Sequence, residues 1–187
     1  NADVEFKLSQ NNLILSNNNS EDWTVNCIDT GQNTQTGGRL KRIESYIDDG
    51  ETFCFTYGDG VGDINISESI KSHIAANKIA TVTAVSPPGR FGALKINESN
   101  TVSKFDEKPE KGNSWINGGF FVLEKDIFKY IDGDQMPWED IPLKTITSEN
   151  NLNAYKHEGY WQPMDTIRER SILENLYKTG NAPWKIW

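Results

Sequence analysis

Apolar and polar positions alternate at the start of the chain, where Val4, Phe6 and Leu8 precede the polar turn Ser9-Gln10-Asn11-Asn12 and then Leu13, Ile14 and Leu15. Two such runs joined by a short polar turn predict a β-hairpin. Trp23, Val25 and Cys27 alternate again, which predicts a third strand. From Thr36 the period lengthens: Leu40, Ile43 and Ile47 share one face of a helix running to Asp49, with Thr36 or Gly37 at its cap and Gly50 past its end. A strand is predicted over Thr52 to Tyr57, a helix over Ile66 to Asn77, and a buried strand over Ile79 to Val85, closed by Pro87-Pro88-Gly89. Strand alternating with helix is the rhythm of a parallel sheet with crossover helices.

Beyond Pro88 the pattern shortens. Strands are predicted at Phe91 to Ile96, Val102 to Phe105 and Ile116 to Leu123, and helices near Asp126 to Ile131 and Trp138 to Thr147. A strand at Leu152 to Lys156 and a last helix from Thr166 to Lys178 complete the chain, the helix opened by a capping box of Thr166 with Glu169. No repeat, low-complexity tract or linker interrupts these elements, so residues 1–187 read as a single domain. The expected fold class is α/β: a mixed, mostly parallel sheet with helices on both faces and a small antiparallel extension.

Composition narrows the function. The 187 residues are 36% hydrophobic, enough for one sizeable core, and carry a formal charge of −8. A surface this acidic repels nucleic acid and anionic membrane, so neither is an expected partner, and an anionic ligand must meet local positive charge. No stretch has the length and apolarity of a membrane span. Cys27 and Cys54 sit in apolar, strand-like contexts without C-x-x-C spacing, which predicts buried reduced thiols and a cytoplasmic protein. The chain begins at Asn1, directly on an alternating pattern, as the middle of a longer polypeptide or a processed start would.

Chemistry concentrates at a few points. Asp59 stands between two glycines in Gly58-Asp59-Gly60, at the end of an apolar strand. Ligands of open α/β sheets gather at the carboxyl ends of strands, and flanking glycines let a bulky group approach; an ordinary Asp-Gly turn accounts for the stretch equally well. A carboxylate there suits half of a Mg²⁺ site, because Mg²⁺ takes one or two carboxylates and fills its octahedron with water and phosphate oxygens. Asp165 is the second candidate if Thr166 takes the capping role; otherwise Asp165 is itself the cap. Thr36-Gly37-Gly38-Arg39 opens a helix whose N–H groups and Arg39 favour an anion, or is a plain helix start with a solvated arginine. Glu107-Lys108-Pro109 sets a hydroxyl acceptor beside a phosphate-seeking ammonium. The glycines of "PPGRFGAL" and "INGGFFV" mark close approach of a ligand, or a bulge.

Taken in order, "TGGRLKR", "FTYGDG", "PPGRFGAL", "EKP", "INGGFFVL", "GYWQPMDT" and "APWK" resemble the sugar-1-phosphate nucleotidylyltransferases, nearest their cytidylyl branch, over essentially the whole chain. The resemblance implies a Rossmann-like nucleotide-diphospho-sugar transferase fold. It also implies transfer of a cytidylyl group from CTP to α-D-glucose 1-phosphate, giving CDP-glucose for dideoxysugar and O-antigen synthesis, with Mg²⁺ as cofactor. By position, Asp59 and Asp165 correspond to the family's metal-binding aspartates, and Thr34, Arg39 and Gly58 to its nucleotide contacts. Glu107 would accept from glucose hydroxyls, Lys108 would hold the sugar phosphate, and Gly92 with Asn117 would line the sugar pocket. A homo-oligomer is expected from the family, with "NAPWKIW" packing on a neighbour or on its own subunit. The family's Gly-Gly-x-Gly-Thr-Arg-Leu phosphate loop is missing here, so the fold is expected to be incomplete at its amino-terminal side and this polypeptide to be poorly active alone. Two other readings stay open: UTP or dTTP in place of CTP, and a non-catalytic subunit that binds a sugar nucleotide.

Overall fold

Four strands form the central sheet: β3 (Thr52–Thr56), β5 (Ala80–Val85), β8 (Ile116–Glu124) and β9 (Leu152–His157), in the order β3-β8-β5-β9. The computed structural model describes residues 3–7, 9, 12–16, 23–87, 93–106 and 114–186. The sheet is mixed, as the expected fold class has it, although the strand-helix rhythm alone predicts parallel pairing. β9 runs parallel to β5, while β8 lies between β3 and β5 and runs against both. Three strands therefore share one direction, and β8, later in the chain, separates β3 from β5.

Alternation along the strands sends two sets of side chains to two helical layers. Ala80 and Val82 of β5, Phe121 and Leu123 of β8, and Phe53 and Phe55 of β3 meet Leu40 of α1 (Thr36–Arg42), Ile127 and Phe128 of a 3-10 turn (Lys125–Tyr130), Trp138, and Ile146 of α3 (Ile141–Ser148). Trp138 is fully buried, edge-on to Phe121 with ring centroids 5.9 Å apart. The opposite face carries Thr81, which hydrogen-bonds His73 of α2 (Ile66–Ala76) at 2.9 Å, and His73 also reaches Glu124 of β8 at 2.9 Å. The buried His73 and Thr81, with the half-buried Glu124, pin α2 to the sheet, and the helices do lie on both faces.

Smaller pairs complete the molecule. β1 (Asp3–Lys7) and β2 (Asn12–Ser16) form the expected hairpin, and β6 (Ala93–Ile96) pairs with β7 (Val102–Asp106) as an antiparallel extension. A further ladder joins β4 (Gly60–Gly62) to β10 (Trp161–Pro163), two strands too short for periodicity to reveal. The helix α4 (Ile167–Lys178) begins with the predicted capping box, Thr166 and Glu169 each binding the other's backbone. That closure satisfies two otherwise orphaned N–H groups.

Several expectations are corrected. Residues 23–30 form no strand; Trp23 and Val25 are exposed, since no neighbour pairs with them among the described residues. The predicted helix over 36–49 is a short α1 followed by a separate 3-10 turn, Glu44–Tyr46, and its cap is Gln35, not Thr36 or Gly37. Both cysteines are exposed, not buried. Cys27 lies in the irregular segment, and Cys54 points away from the core on the edge strand β3, where flanking protein still desolvates its thiol enough to push the pKa up.

Candidate active site

The end of β3 is the point from which the site is built. Tyr57 donates its backbone N–H to Gly119 at 3.0 Å, and the chain then turns through Gly58 and Asp59 into β4. In the β4–β10 ladder Gly60 faces Pro163, and one step further the Met164 N–H donates to the Asp59 carbonyl at 2.8 Å. Asp59 and Asp165, far apart in sequence, thus leave the same end of one ladder. Both are exposed, and neither is engaged in a salt bridge among the described residues. Thr166 takes the capping role, while Asp165 gives only its backbone N–H to Glu169, at 3.0 Å, so its carboxylate is not spent on α4.

Beside this ladder β8 bulges. Val82 faces Phe121 but Ala84 faces Asn117, so β8 spends three residues, Gly118 to Phe120, where β5 spends one. The glycines of "INGGFFV" serve this bulge: a Cβ on Gly118 would lie 2.9 Å from the Thr83 carbonyl, and Gly119 has φ +78° with the Tyr57 ring against it. The Trp161 indole N–H donates to the Gly118 carbonyl at 2.9 Å, joining ladder to bulge. Asn117 is exposed at the bulge, with its Oδ1 accepting from the Gly119 N–H at 2.8 Å. A cleft of about 530 Å³ opens next to it, walled by Val82, Ala84, Trp115, Leu143 and Thr147.

The third part is the start of α1. Its glycines are buried against another segment: a Cβ on Gly37 would lie 2.5 Å from the Met136 carbonyl, and one on Gly38 2.5 Å from Asp134 Cα. The Gly38 N–H donates to the Met136 carbonyl at 3.2 Å, so the first turn is occupied by protein and offers that N–H to no anion. Arg39 folds back on the preceding loop, donating to Thr30 Oγ1 at 2.7 Å and to the Gln32 carbonyl at 3.2 Å. Thr34 is buried beneath that loop. Arg42 forms a two-pronged pair with Asp134, at 2.9 and 2.6 Å, which holds the Asp134 carboxyl below its ordinary range.

A chain of hydrogen bonds that sequence reading missed joins these parts. Thr36 donates to Glu139 at 2.7 Å, and Tyr57 donates to the other Glu139 oxygen at 2.5 Å. Burial, and then this bond to Glu139, push the Tyr57 phenol well above its ordinary pKa, so it stays a donor at any working pH. Tyr57 precedes the Gly-Asp-Gly stretch and Glu139 follows the buried Trp138; adjacency to those residues is the signal that could have drawn attention to them. Of the residues named from sequence, Gly58, Asp59, Asp165 and Asn117 come together around ladder and bulge, while Thr34 precedes α1 and Arg39 lies within it. Gly92, Glu107 and Lys108 lie outside the described residues.

A model of the nucleotidyl transferase family matches residues 7–178. The chain is 47% identical over its whole length to the glucose-1-phosphate cytidylyltransferases of Salmonella typhi and Salmonella typhimurium, spanning 72% of each. It is 34% identical over 98% of its length to a probable glucose-1-phosphate cytidylyltransferase of Bacillus subtilis. Among solved structures, HddC from Yersinia pseudotuberculosis superposes with a TM-score of 0.59 at 22% identity, covering 78% of this chain and 64% of that one. A putative glucose-1-phosphate thymidylyltransferase from Bacillus anthracis superposes at 0.54 and 17% identity, covering 84% of this chain and 64% of that one.

Proposed function

Because the chain belongs to the nucleotidyl transferase family, we propose that it acts, as one nucleotidyltransferase domain over residues 1–187, in the transfer of a cytidylyl group from CTP to α-D-glucose 1-phosphate. The products are CDP-glucose and pyrophosphate, an entry to dideoxysugars of surface polysaccharide. A phosphate oxygen of the sugar attacks the α-phosphorus of CTP, and the bond to the β-phosphate oxygen breaks with its electron pair leaving on pyrophosphate. The sugar phosphate is already ionised at neutral pH, so the residues need supply no general base. Their work is to bring two anions together and hold them in line.

The observation that carries the reading is the β4–β10 ladder, which brings Asp59 and Asp165 to one end of a pair of three-residue strands. Two exposed carboxylates without a basic partner among the described residues fit a hard divalent cation. A pair of carboxylates suits Mg²⁺, an ion that takes one or two of them and keeps waters and phosphate oxygens as its other ligands. When bound there, Mg²⁺ would offset the charge of the phosphates. Asp59 and Asp165 would hold it. Gly58 supports the same reading: among the described residues none beyond its chain neighbours lies within 4 Å of where a Cβ would sit, which leaves space for the nucleotide. Thr34 and Arg39 are the remaining nucleotide candidates, and Asn117, Gly92, Glu107 and Lys108 the sugar-phosphate candidates. A homo-oligomer in the cytoplasm is part of the proposal; Trp184 of "NAPWKIW" packs on Tyr160 of its own chain, ring centroids 5.7 Å apart.

The test is pyrophosphate release from CTP and glucose 1-phosphate with Mg²⁺, by this chain and by the complete product of its reading frame. Asp59→Asn and Asp165→Asn should each lower turnover at least about a hundredfold, the scale of losing a preorganised charge contact. A higher kcat/KM with UTP or dTTP would assign another base. Absence of turnover in the complete product, with CDP-glucose still bound, would assign a non-catalytic subunit instead.

A further inference from the structure

We infer that Tyr57 and Glu139 are positioning residues that set the Asn117 amide on the sugar side and tie it to the start of α1 on the nucleotide side. The inference rests on the functional reading above, because it takes Asn117 to face the sugar. Asn117 has two possible amide orientations of nearly equal shape, and only its partners choose between them. Here Oδ1 accepts from the Gly119 N–H at 2.8 Å, and Nδ2 points to the Tyr57 hydroxyl at 3.4 Å. A tyrosine hydroxyl can accept that contact because its own proton goes elsewhere, to Glu139 at 2.5 Å.

Glu139 completes the arrangement as an acceptor twice over. Its second oxygen takes the Thr36 hydroxyl at 2.7 Å, and Thr36 in turn accepts the Trp138 backbone N–H at 2.9 Å. The donors therefore run inward from both ends, Trp138 to Thr36 and Asn117 to Tyr57, and meet on the two oxygens of Glu139, so reversing any one leaves a partner facing like with like. The ring of Tyr57 is held by more than these bonds. It lies against Gly119, where a Cβ would come within 2.8 Å, and edge-on to Phe121 and Phe55. The hydroxyl thus sits at a fixed point between bulge and α1, immediately before Gly58 and Asp59.

Gln in place of Glu139 keeps the shape but turns one acceptor into a donor. Phe in place of Tyr57 keeps the ring and removes the hub. The experiment uses both, with Glu139→Ala, in the complete product of the reading frame, and measures KM for each substrate, kcat, CDP-glucose affinity by calorimetry, and the thermal midpoint. Tyr57→Phe should raise KM for glucose 1-phosphate about tenfold and weaken CDP-glucose comparably, with KM for CTP within about twofold and the midpoint nearly unchanged, the scale of one hydrogen bond. Glu139→Ala should raise both KM values, because Thr36 is released as well, and Glu139→Gln should recover part of that loss. A Tyr57→Phe variant that moves both KM values together, or neither, overturns the positioning role while leaving the activity standing. An unmodified protein that neither turns over nor binds CDP-glucose overturns the functional reading and the positioning role with it.

Discussion

Replacing Gly38 by alanine should destabilise the molecule, whereas the same change at Gly58 should not. The added Cβ at Gly38 would lie 2.5, 2.6 and 2.8 Å from the Cα, carbonyl oxygen and carbonyl carbon of Asp134. Carbon atoms in favourable contact sit about 3.5–4.0 Å apart, so the overlap is roughly an ångström. The obstructing atoms are backbone, and that backbone is held twice: the Gln35 N–H donates to the Asp134 carbonyl at 2.8 Å, and Arg42 grips the Asp134 carboxylate. Overpacking of this kind costs about 1–3 kcal/mol, and immobile backbone puts it at the top of that range. Alanine's better helix propensity returns up to about 1 kcal/mol. The net loss is about 2 kcal/mol, which for a chain of this length lowers Tm by roughly 4–8 °C. Urea unfolding followed by tryptophan fluorescence reads it directly. Gly58→Ala meets nothing within 4 Å among the described residues, so its stability should stay within about 0.5 kcal/mol of the parent, while its affinity for CTP falls. A Gly38→Ala variant as stable as the parent, or a Gly58→Ala variant equally damaged, would refute the assignment of the first glycine to packing and the second to open space.

Two further outcomes follow from local chemistry. Asp134 has its folded pKa lowered by the Arg42 hydrogen bond, so the pair's contribution to stability is fully present above the unfolded carboxylate value, about 3.9, and is lost as pH falls through the lower folded value. The Tm gap between parent and Asp134→Asn should therefore be widest near neutrality and close on acidification below about pH 4; a gap that widens in acid contradicts the pairing. Thr166→Ala removes the oxygen that accepts the Glu169 N–H at 3.2 Å and should cost about 1 kcal/mol in urea unfolding, with Thr166→Ser close to neutral. Equal loss in both variants would mean that the cap is not the source.

The elements built on long periodic runs were legible in the sequence. Leu40 is buried in the core with Ile43 and Ile47 packed against it, although the single helix that their spacing implies ends at Arg42, and Thr166 with Glu169 forms the box that its spacing spells. What could not be read was the partner of each element. β8 enters between β3 and β5 because its antiparallel register with both buries Phe121 and Leu123, a fact of pairing and not of local pattern. β4 and β10 were illegible for a different reason: three residues with two glycines, and three ending in proline, carry no period. The glycines misled in one place and not in another. Gly37 and Gly38 look like a ligand loop but are filled by Met136 and Asp134, while Gly58 is open, and only the distant chain segment decides which. Tyr57 and Glu139 stood beside singled-out residues and were missed because their roles depend on each other.

The β4–β10 ladder also has a bearing on time. Asp59 leaves the ribosome long before Asp165, and at about 5–20 residues per second the interval is of the order of ten seconds. For nearly all of it the acidic turn after β3 has no opposite strand, and for the first part of it β3 itself waits for β8. Any carboxyl-terminal truncation before Trp161 would freeze the nascent chain in that state, with one aspartate and no mate. If the pair holds the divalent cation proposed for it, binding there would signal that synthesis has passed β10 and that β4 has found its partner.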